Sequence, residues 1–323
     1  MAKQRIGIAI NAQHLHAEDQ QLYHGVRAFS EAQPDFQCVL APFAAEDLLA
    51  CKKTKPPYHG VLAQATPELV DAAARWGVPV VDVWRDSTVR VPINCVFPDF
   101  AHAGRIVAEH LSSRGFDSFG FVINRSAQSQ AEMCDPALLP PTEQHPDHDS
   151  TGFAGWLDAR GLNCSRFMAP KAVDANAKLW RRWVTSIRQW LNEQPKPIGL
   201  FVPNDWLCRY IAETCGELGY KVPHDVGLVC ADNEPNLCML NEPSLSAIDL
   251  GYRQVGFEAA AMLQRLLADR KAAGNADRVI RYVEPRVLHP RRSTDATSVR
   301  DPLVAQAMRY ILEHAHHAIS VSD

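Results

Sequence analysis

Between residues 201 and 267 the sequence alternates short apolar runs with helical segments, and polar side chains stand where the apolar runs end. One run ends at Val202 and is followed by a helix start, and a second run covers 226–231. In an open α/β sheet, ligands bind at the carboxyl ends of the strands. We therefore predict that a small polar ligand meets the side chains that follow the two runs, which are Asn204, Asp205, Asp232 and Asn233.

The same alternation continues along the whole chain. Strands are predicted at 5–10, 36–40, 59–63, 78–83, 93–97, 118–123, 198–202, 226–231, 279–283 and 286–288. Helices are predicted at 18–33, 44–52, 67–76, 100–114, 153–160 and 175–192. Strands that alternate with helices predict a mainly parallel sheet covered by helices on both faces. A length of 323 residues allows two such lobes, each with its own core.

Composition restricts the class of protein. A net charge of −4 argues against a dominant nucleic-acid surface, and no run of about 18 apolar residues is present to span a membrane. The first apolar run, 6–10, is too short for a signal peptide. The nine cysteines form no Cys-x-x-Cys pair and lie in apolar runs, as buried thiols do in a reducing compartment. We expect a cytoplasmic protein.

Two segments interrupt the alternation. The segment 124–149 is rich in Pro, Gln and His and shows no periodicity, which is typical of a functional or disordered loop. The segment 285–300 is rich in Arg, Ser and Thr, which suggests a linker. After it, Asp301 and Pro302 form a strong helix start, and an apolar stripe continues to Ala315. One amphipathic helix cannot bury its face alone, so we expect a third domain that is truncated in this chain.

Several motifs carry a family resemblance. Asn204-Asp205, Gly219-x-x-Val222-Pro223-x-Asp225, the strand that ends at Asp232 and Gly256-x-x-Ala259-Ala260-x-x-Leu263 resemble the effector domain of the LacI/GalR family. The tail, Arg291-Arg292-Ser293-Thr294-Asp295 followed by Asp301-Pro302-x-Val304-x-x-Ala307-Met308-x-Tyr310-Ile311, is similar to the hinge and first helix of an AraC-type DNA-binding domain. Together the two parts resemble the xylose-operon regulators over nearly the whole chain.

That resemblance implies an α/β fold of two doubly wound parallel-sheet lobes joined by three crossovers, as in the type I periplasmic-binding-protein-like fold. Residues 3–97 with 238–270 form lobe one, and 98–237 with 276–292 form lobe two. Residues 293–300 are then a linker, and 301–323 are the first helix of a truncated helix-turn-helix domain.

The resemblance also implies a function. A sugar, xylose or a related polyol, would bind in the cleft between the lobes and control operator binding by the missing domain, in a homodimer that needs no cofactor, no metal and no membrane. The implied ligand residues are Asp232, Asn204, Asp205, Asn11, Asn233, Gln13, Trp84 and Arg125. Trp84 and Trp206 are expected to cover the C–H side of the sugar. Where the family has a ligand-binding arginine this chain has Asp149, and Arg125 is the candidate replacement.

The residues leave other interpretations open. Asp232 is also a suitable turn residue, Asn204 and Asp205 are suitable helix caps, and a cap is expected for Asp99. The metal-capable side chains of 143–149 have no fixed ligand spacing, which favours a solvated loop. A secreted solute-binding protein of a sugar transporter would share the fold, although the missing signal peptide opposes it. An enzyme is not expected, because GxSxG, HExxH and phosphate-loop motifs are absent.

Overall fold

The computed structural model describes residues 4–10, 17–52, 54–87, 89, 92–124, 152–169, 176–202, 205–268 and 279–295, and beyond these 303, 304, 307, 310 and 311. The described strands are β1 (Gln4–Ala9), β2 (Phe36–Leu40), β3 (Gly60–Ala63), β4 (Val80–Asp82), β5 (Asn94–Pro98), β6 (Ser118–Asn124), β7 (Cys164–Ala169), β8 (Ile198–Val202), β9 (Val226–Ala231), β10 (Ser246–Asp249), β11 (Ile280–Val283) and β12 (Val287–His289). The described helices are α1 (Ala17–Ala32), α2 (Ala44–Ala50), α3 (Pro67–Trp76), α4 (Phe100–Ser113), α5 (Phe153–Asp158), α6 (Ala177–Glu193), α7 (Asp205–Glu217), α8 (Pro235–Cys238) and α9 (Tyr252–Ala268).

Within the described residues the strands form two sheets of six. The first has the order β11-β5-β4-β3-β1-β2, and the second has the order β12-β10-β9-β8-β6-β7. In the first sheet β1 pairs in parallel with β2 and β3, and in the second β8 pairs in parallel with β6 and β9. The predicted α/β fold of two parallel-sheet lobes is therefore confirmed.

Each sheet lies mainly in its own compact unit, and strands β10 and β12 cross the boundary between the units. In the described part of the chain, the first unit contains residues up to 103 and 248–287, and the second contains 104–124, 152–247 and 288–295. The chain thus passes between the units after residues 103, 247 and 287, which agrees with the three crossovers that the family resemblance implies. Among the helices that the structure describes, none combines the length and the apolar character that crossing a bilayer requires.

The lobe boundaries differ from the sequence prediction at two strands. The segment 276–292 was assigned to lobe two, but β11 pairs with β5 in the first sheet, where the Val279 amide donates to the Asn94 side chain at 3.1 Å. The segment 238–270 was assigned to lobe one, but β10 lies in the second sheet beside β9. Strand β7 was not predicted. It lies at the edge of its sheet, and Phe167 is the one buried residue among those of β7 whose burial the structure describes, so its apolar pattern is weak.

Strands β8 and β9 match their prediction because every residue in them is buried. A strand of a parallel sheet that is covered on both faces has an uninterrupted apolar run. In the second unit these strands pack with α6 and α7 around Leu200, Leu228 and Trp183. They deliver their carboxyl ends side by side, which is the arrangement that the site prediction requires.

The predicted linker 293–300 begins too early. Ser293 and Thr294 have no exposed surface, and they form a short 3-10 helix inside the second unit. The Ser293 hydroxyl donates to the Leu228 carbonyl of β9 at 2.6 Å, and the Ser246 amide donates to Ser293 Oγ at 2.8 Å. The hydroxyls therefore hold this polar segment against the sheet. Residues 296–300 lie outside the described part of the chain.

The tail after residue 295 is described at five positions. Leu303, Val304, Ala307, Tyr310 and Ile311 are helical, as the sequence predicts for this stretch. The rest of the predicted helix lies outside the described residues. The described residues therefore contain no helical DNA-binding domain.

Helices α1 and α9 approach each other closely at Gly25 and Gly256. This close approach gives a first prediction. A Cβ atom at Gly256 would lie 2.1 Å from the Leu22 carbonyl oxygen, whereas a Cβ at Gly216 in α7 meets no atom within 4 Å. We expect Gly256→Ala to lower the free energy of unfolding by roughly 1–3 kcal/mol, because the helices must separate. Gly216→Ala should raise it by at most about 1 kcal/mol through helix propensity. Urea unfolding of both variants measures this, and equal effects would contradict the packing.

A second prediction concerns His110 of α4, whose Nε2 lies 2.9 Å from Thr294 Oγ1. Burial, with the nearby Arg114 charge, lowers the pKa of His110 to about 4 from its ordinary value of 6.5. The unfolded chain therefore binds a proton between these values that the folded chain does not. The contribution of neutral His110 to the free energy of unfolding is therefore fully present above pH 6.5, and it is lost as the pH falls towards 4. In His110→Gln, the loss of unfolding free energy between pH 7 and pH 5 should be smaller, and an unchanged loss would contradict the account.

Candidate effector-binding site

The candidate site lies at the carboxyl ends of β8 and β9 in the second unit. Asp205 follows β8 as the first residue of α7, and Asp232 and Asn233 follow β9. Because the two strands are parallel neighbours, the structure brings these three predicted residues to one edge of the sheet. Four other predicted ligand residues, Asn11, Gln13, Asn204 and Arg125, lie outside the described residues.

Asp205 has a structural contact that the sequence left open. Its side chain is 4% exposed, and Oδ2 accepts a hydrogen bond from the Glu234 amide at 2.6 Å. A carboxylate that accepts from a backbone N–H makes a strong, charge-assisted hydrogen bond. Asp205 therefore ties the loop after β9 to the start of α7.

The backbone turns sharply at Asp232 and Asn233. Both residues have positive φ, at 74° and 60°. Non-glycine residues adopt this left-handed region rarely, and Asp and Asn adopt it more readily than other residues because their side chains bond locally. We call residues 232–234 the acidic corner. Two successive strained residues at a strand end are typical of a functional site.

Arg291, which follows β12, holds the corner from its other side. One guanidinium nitrogen donates to the Asn233 side-chain oxygen at 2.5 Å, and the other donates to the Leu245 carbonyl at 2.7 Å. The Asn233 oxygen is thereby used within the protein, and Asn233 positions the corner. The sequence predicts Asn233 as a ligand residue and places Arg291 in the hinge motif, and no local signal connects the two residues.

Trp84 lies in the first unit, after β4. Its ring stacks on Tyr252 with centroids 5.8 Å apart and an interplanar angle of 20°. The preceding Asp82 is 2% exposed and accepts hydrogen bonds from the Trp84 and Ala65 amides. Burial raises the pKa of the Asp82 carboxyl group, and these hydrogen bonds oppose the rise. Asp82 therefore joins the residues that follow β3 and β4. The sequence signal for this role is a single Asp within an apolar run.

An aromatic cluster adjoins the start of α7. Trp180 contacts Trp183, Trp206 and Tyr210, with ring centroids 4.9–5.4 Å apart. Trp183 is buried, as the spacing of the Trp residues on this helix predicts, but Trp206 is half exposed. An exposed aromatic ring next to Asp205 in sequence suits contact with an apolar face of a ligand.

Asp99 caps α4, as the sequence suggested. Its Oδ1 accepts a hydrogen bond from the His102 amide at 2.9 Å. The predicted metal-capable loop 143–149 lies outside the described residues. Within the described part of the chain, one group of metal-capable side chains comes together, and it consists of Asp205, Cys230 and Cys238.

Comparison with known proteins gives consistent matches. A family model for the periplasmic binding protein-like domain matches residues 108–294. A xylose operon regulatory protein of Haemophilus influenzae is 32% identical over 153 residues, which are 47% of this chain and 38% of that protein. The chain therefore matches well under half the length of this curated relative.

Solved structures with the same fold include regulators. The structure of a xylose-binding transcription activator xylR has a TM-score of 0.69 at 24% identity, over 100% of this chain and 77% of that chain. A LacI family transcriptional regulator from Enterococcus faecium with bound ribose has a TM-score of 0.62 at 18% identity, over 92% of this chain and 100% of that chain. At these identities the likeness shows the fold.

The acidic corner gives a third prediction, which separates backbone strain from the Arg291 contact. Asn233→Gly removes the side-chain contact but suits positive φ, whereas Asn233→Ala removes the contact and adds the strain. We expect Asn233→Ala to be less stable than Asn233→Gly by about 1 kcal/mol, as measured by urea unfolding. Equal stability of the two variants would show that residue 233 has no left-handed backbone.

Proposed function

The chain belongs to the periplasmic binding protein-like domain family, and from that premise we propose that it is the sugar-sensing part of a transcription regulator. The observation that carries this proposal is the acidic corner at the carboxyl end of β9, where a strained backbone presents Asp232 at the edge of a parallel sheet. The names of its relatives favour a regulator over the solute-binding protein of a transporter and over an enzyme.

The ligand we propose is a pentose or a related polyol, with xylose as the first candidate. A carboxylate accepts hydrogen bonds from two neighbouring hydroxyl groups, and such charge-assisted bonds suit a polyhydroxy molecule. Asp232 is the proposed main ligand, and Trp206 is proposed to cover the C–H side. Asn11, Gln13, Asn204, Arg125 and Trp84 remain proposed contacts from the family resemblance, and the cleft between the lobes is the proposed binding place.

The output we propose is operator binding by an AraC-type helix-turn-helix domain joined beyond residue 323, in a homodimeric cytoplasmic protein. The helical residues 303, 304, 307, 310 and 311 support a helix that begins this domain. Because Ser293 and Thr294 are anchored to β9 and β10, movement of the second sheet would be transmitted directly to residue 295 and the chain that follows.

Calorimetry with D-xylose, D-ribose, L-arabinose and xylitol tests this function. We expect one of them to bind with measurable heat, and Asp232→Asn to weaken that binding by about 10–100-fold, since a hydrogen bond to a charged group contributes roughly 1.5–3 kcal/mol. Asn tolerates positive φ, so the variant keeps the corner.

Asp225→Asn, which lies before the opposite end of β9, is the matched control and should bind as the unchanged chain does. Absence of heat with all four compounds would contradict the proposed function. Unchanged affinity in Asp232→Asn would contradict the role of Asp232.

A further inference from the structure

Three buried side chains meet directly behind the acidic corner. Cys230 lies on β9, Cys238 ends α8, and Asp205 begins α7. One ligand atom from each lies within 4.8 Å of the other two, and the two sulfur atoms are 3.7 Å apart. All three residues are less than 5% exposed. The chain therefore leaves β9 beside one thiol, Cys230, and returns to it at the second thiol, Cys238.

The separation of the two sulfur atoms matches a metal site. Zinc binds thiolate sulfur at about 2.3 Å with tetrahedral angles, which places two coordinating sulfur atoms roughly 3.8 Å apart. A disulfide would require the two sulfur atoms to approach to about 2.05 Å. A carboxylate oxygen is also an accepted zinc ligand.

A fourth ligand is available on the same helix as Asp205. Cys208 lies three residues further along α7, so that the two side chains share one helix face. Its thiol is fully buried and is hydrogen bonded to Cys230. Cys208 is not in the group whose ligand atoms all lie within 4.8 Å of one another, so an ion would have to draw this thiol inward to complete four ligands. A closed set of three sulfur atoms and one carboxylate oxygen is typical of structural zinc rather than catalytic zinc.

We propose that Asp205, Cys208, Cys230 and Cys238 form a structural Zn²⁺ site that fixes the loop carrying the acidic corner. Binding replaces thiol protons with the metal, and those protons leave to solvent. The two positive charges of the ion offset two of the four negative charges of the carboxylate and the three thiolates, and the Arg291 guanidinium contributes further positive charge near Cys238. Zinc binding does not depend on the proposed sugar, so either property can fail alone.

Metal analysis of the full chain tests the site. The chain is stripped with a chelator, incubated with Zn²⁺, desalted and measured by elemental analysis, and it should retain one zinc ion per molecule. Replacement by Co²⁺ should give the strong near-ultraviolet absorption of a thiolate-to-cobalt bond. Failure of the unchanged chain to retain zinc, or a cobalt spectrum without that band, would overturn the proposal.

Variants locate the ion. Cys230→Ala and Cys238→Ala should each lose zinc, while Cys95→Ala, a buried thiol of the other unit, should retain it. Asp205→Asn keeps an oxygen for the Glu234 amide but loses the carboxylate, so it should stay folded and bind zinc more weakly. Circular dichroism verifies the fold of each variant. Retention of full zinc by folded Cys230→Ala and Cys238→Ala would place the ion elsewhere and overturn the proposal.

Discussion

The left-handed backbone at Asp232 and Asn233 is the constraint on which the candidate site depends. For residues other than glycine, this conformation costs roughly 1–2 kcal/mol per residue, and it persists only where neighbouring contacts enforce it. Here the Asp205 carboxylate accepts a hydrogen bond from the Glu234 amide, and the Arg291 guanidinium donates a hydrogen bond to the Asn233 side chain. Two charge-assisted hydrogen bonds thus stabilise a corner that the local sequence alone would not adopt.

The sequence predicts those parts of the fold that are buried on both faces. Strands β8 and β9 are uninterrupted apolar runs because helices cover both sides of the sheet, and their observed bounds match the prediction. Edge strand β7 buries little, so its residues alternate without a strong apolar signal. Strands β10 and β11 were assigned to the wrong sheets because strand pairing joins residues far apart in sequence, such as Cys95 and Ile280.

The sequence also predicts that Asp205, Asp232 and Asn233 collect at one edge of the sheet, because polar residues that follow neighbouring parallel strands share that edge. It does not reveal how the edge is supported. Asn233 and Arg291 are 58 residues apart, and no periodic pattern links them. Ser293 and Thr294 resemble a linker in composition, yet both are buried. Their hydroxyl groups form hydrogen bonds with the amide and the hydroxyl group of Ser246. Long-range polar contacts of this kind become visible only in the structure.

The most direct measurement is a crystal structure of the chain grown with whichever pentose or polyol binds it. The account predicts that two neighbouring hydroxyl groups of the ligand lie about 2.5–3.0 Å from the Asp232 carboxylate oxygens, with residue 232 still in the left-handed region. A bound ligand that makes no contact with Asp232, or a carboxylate directed away from the ligand, would contradict the account.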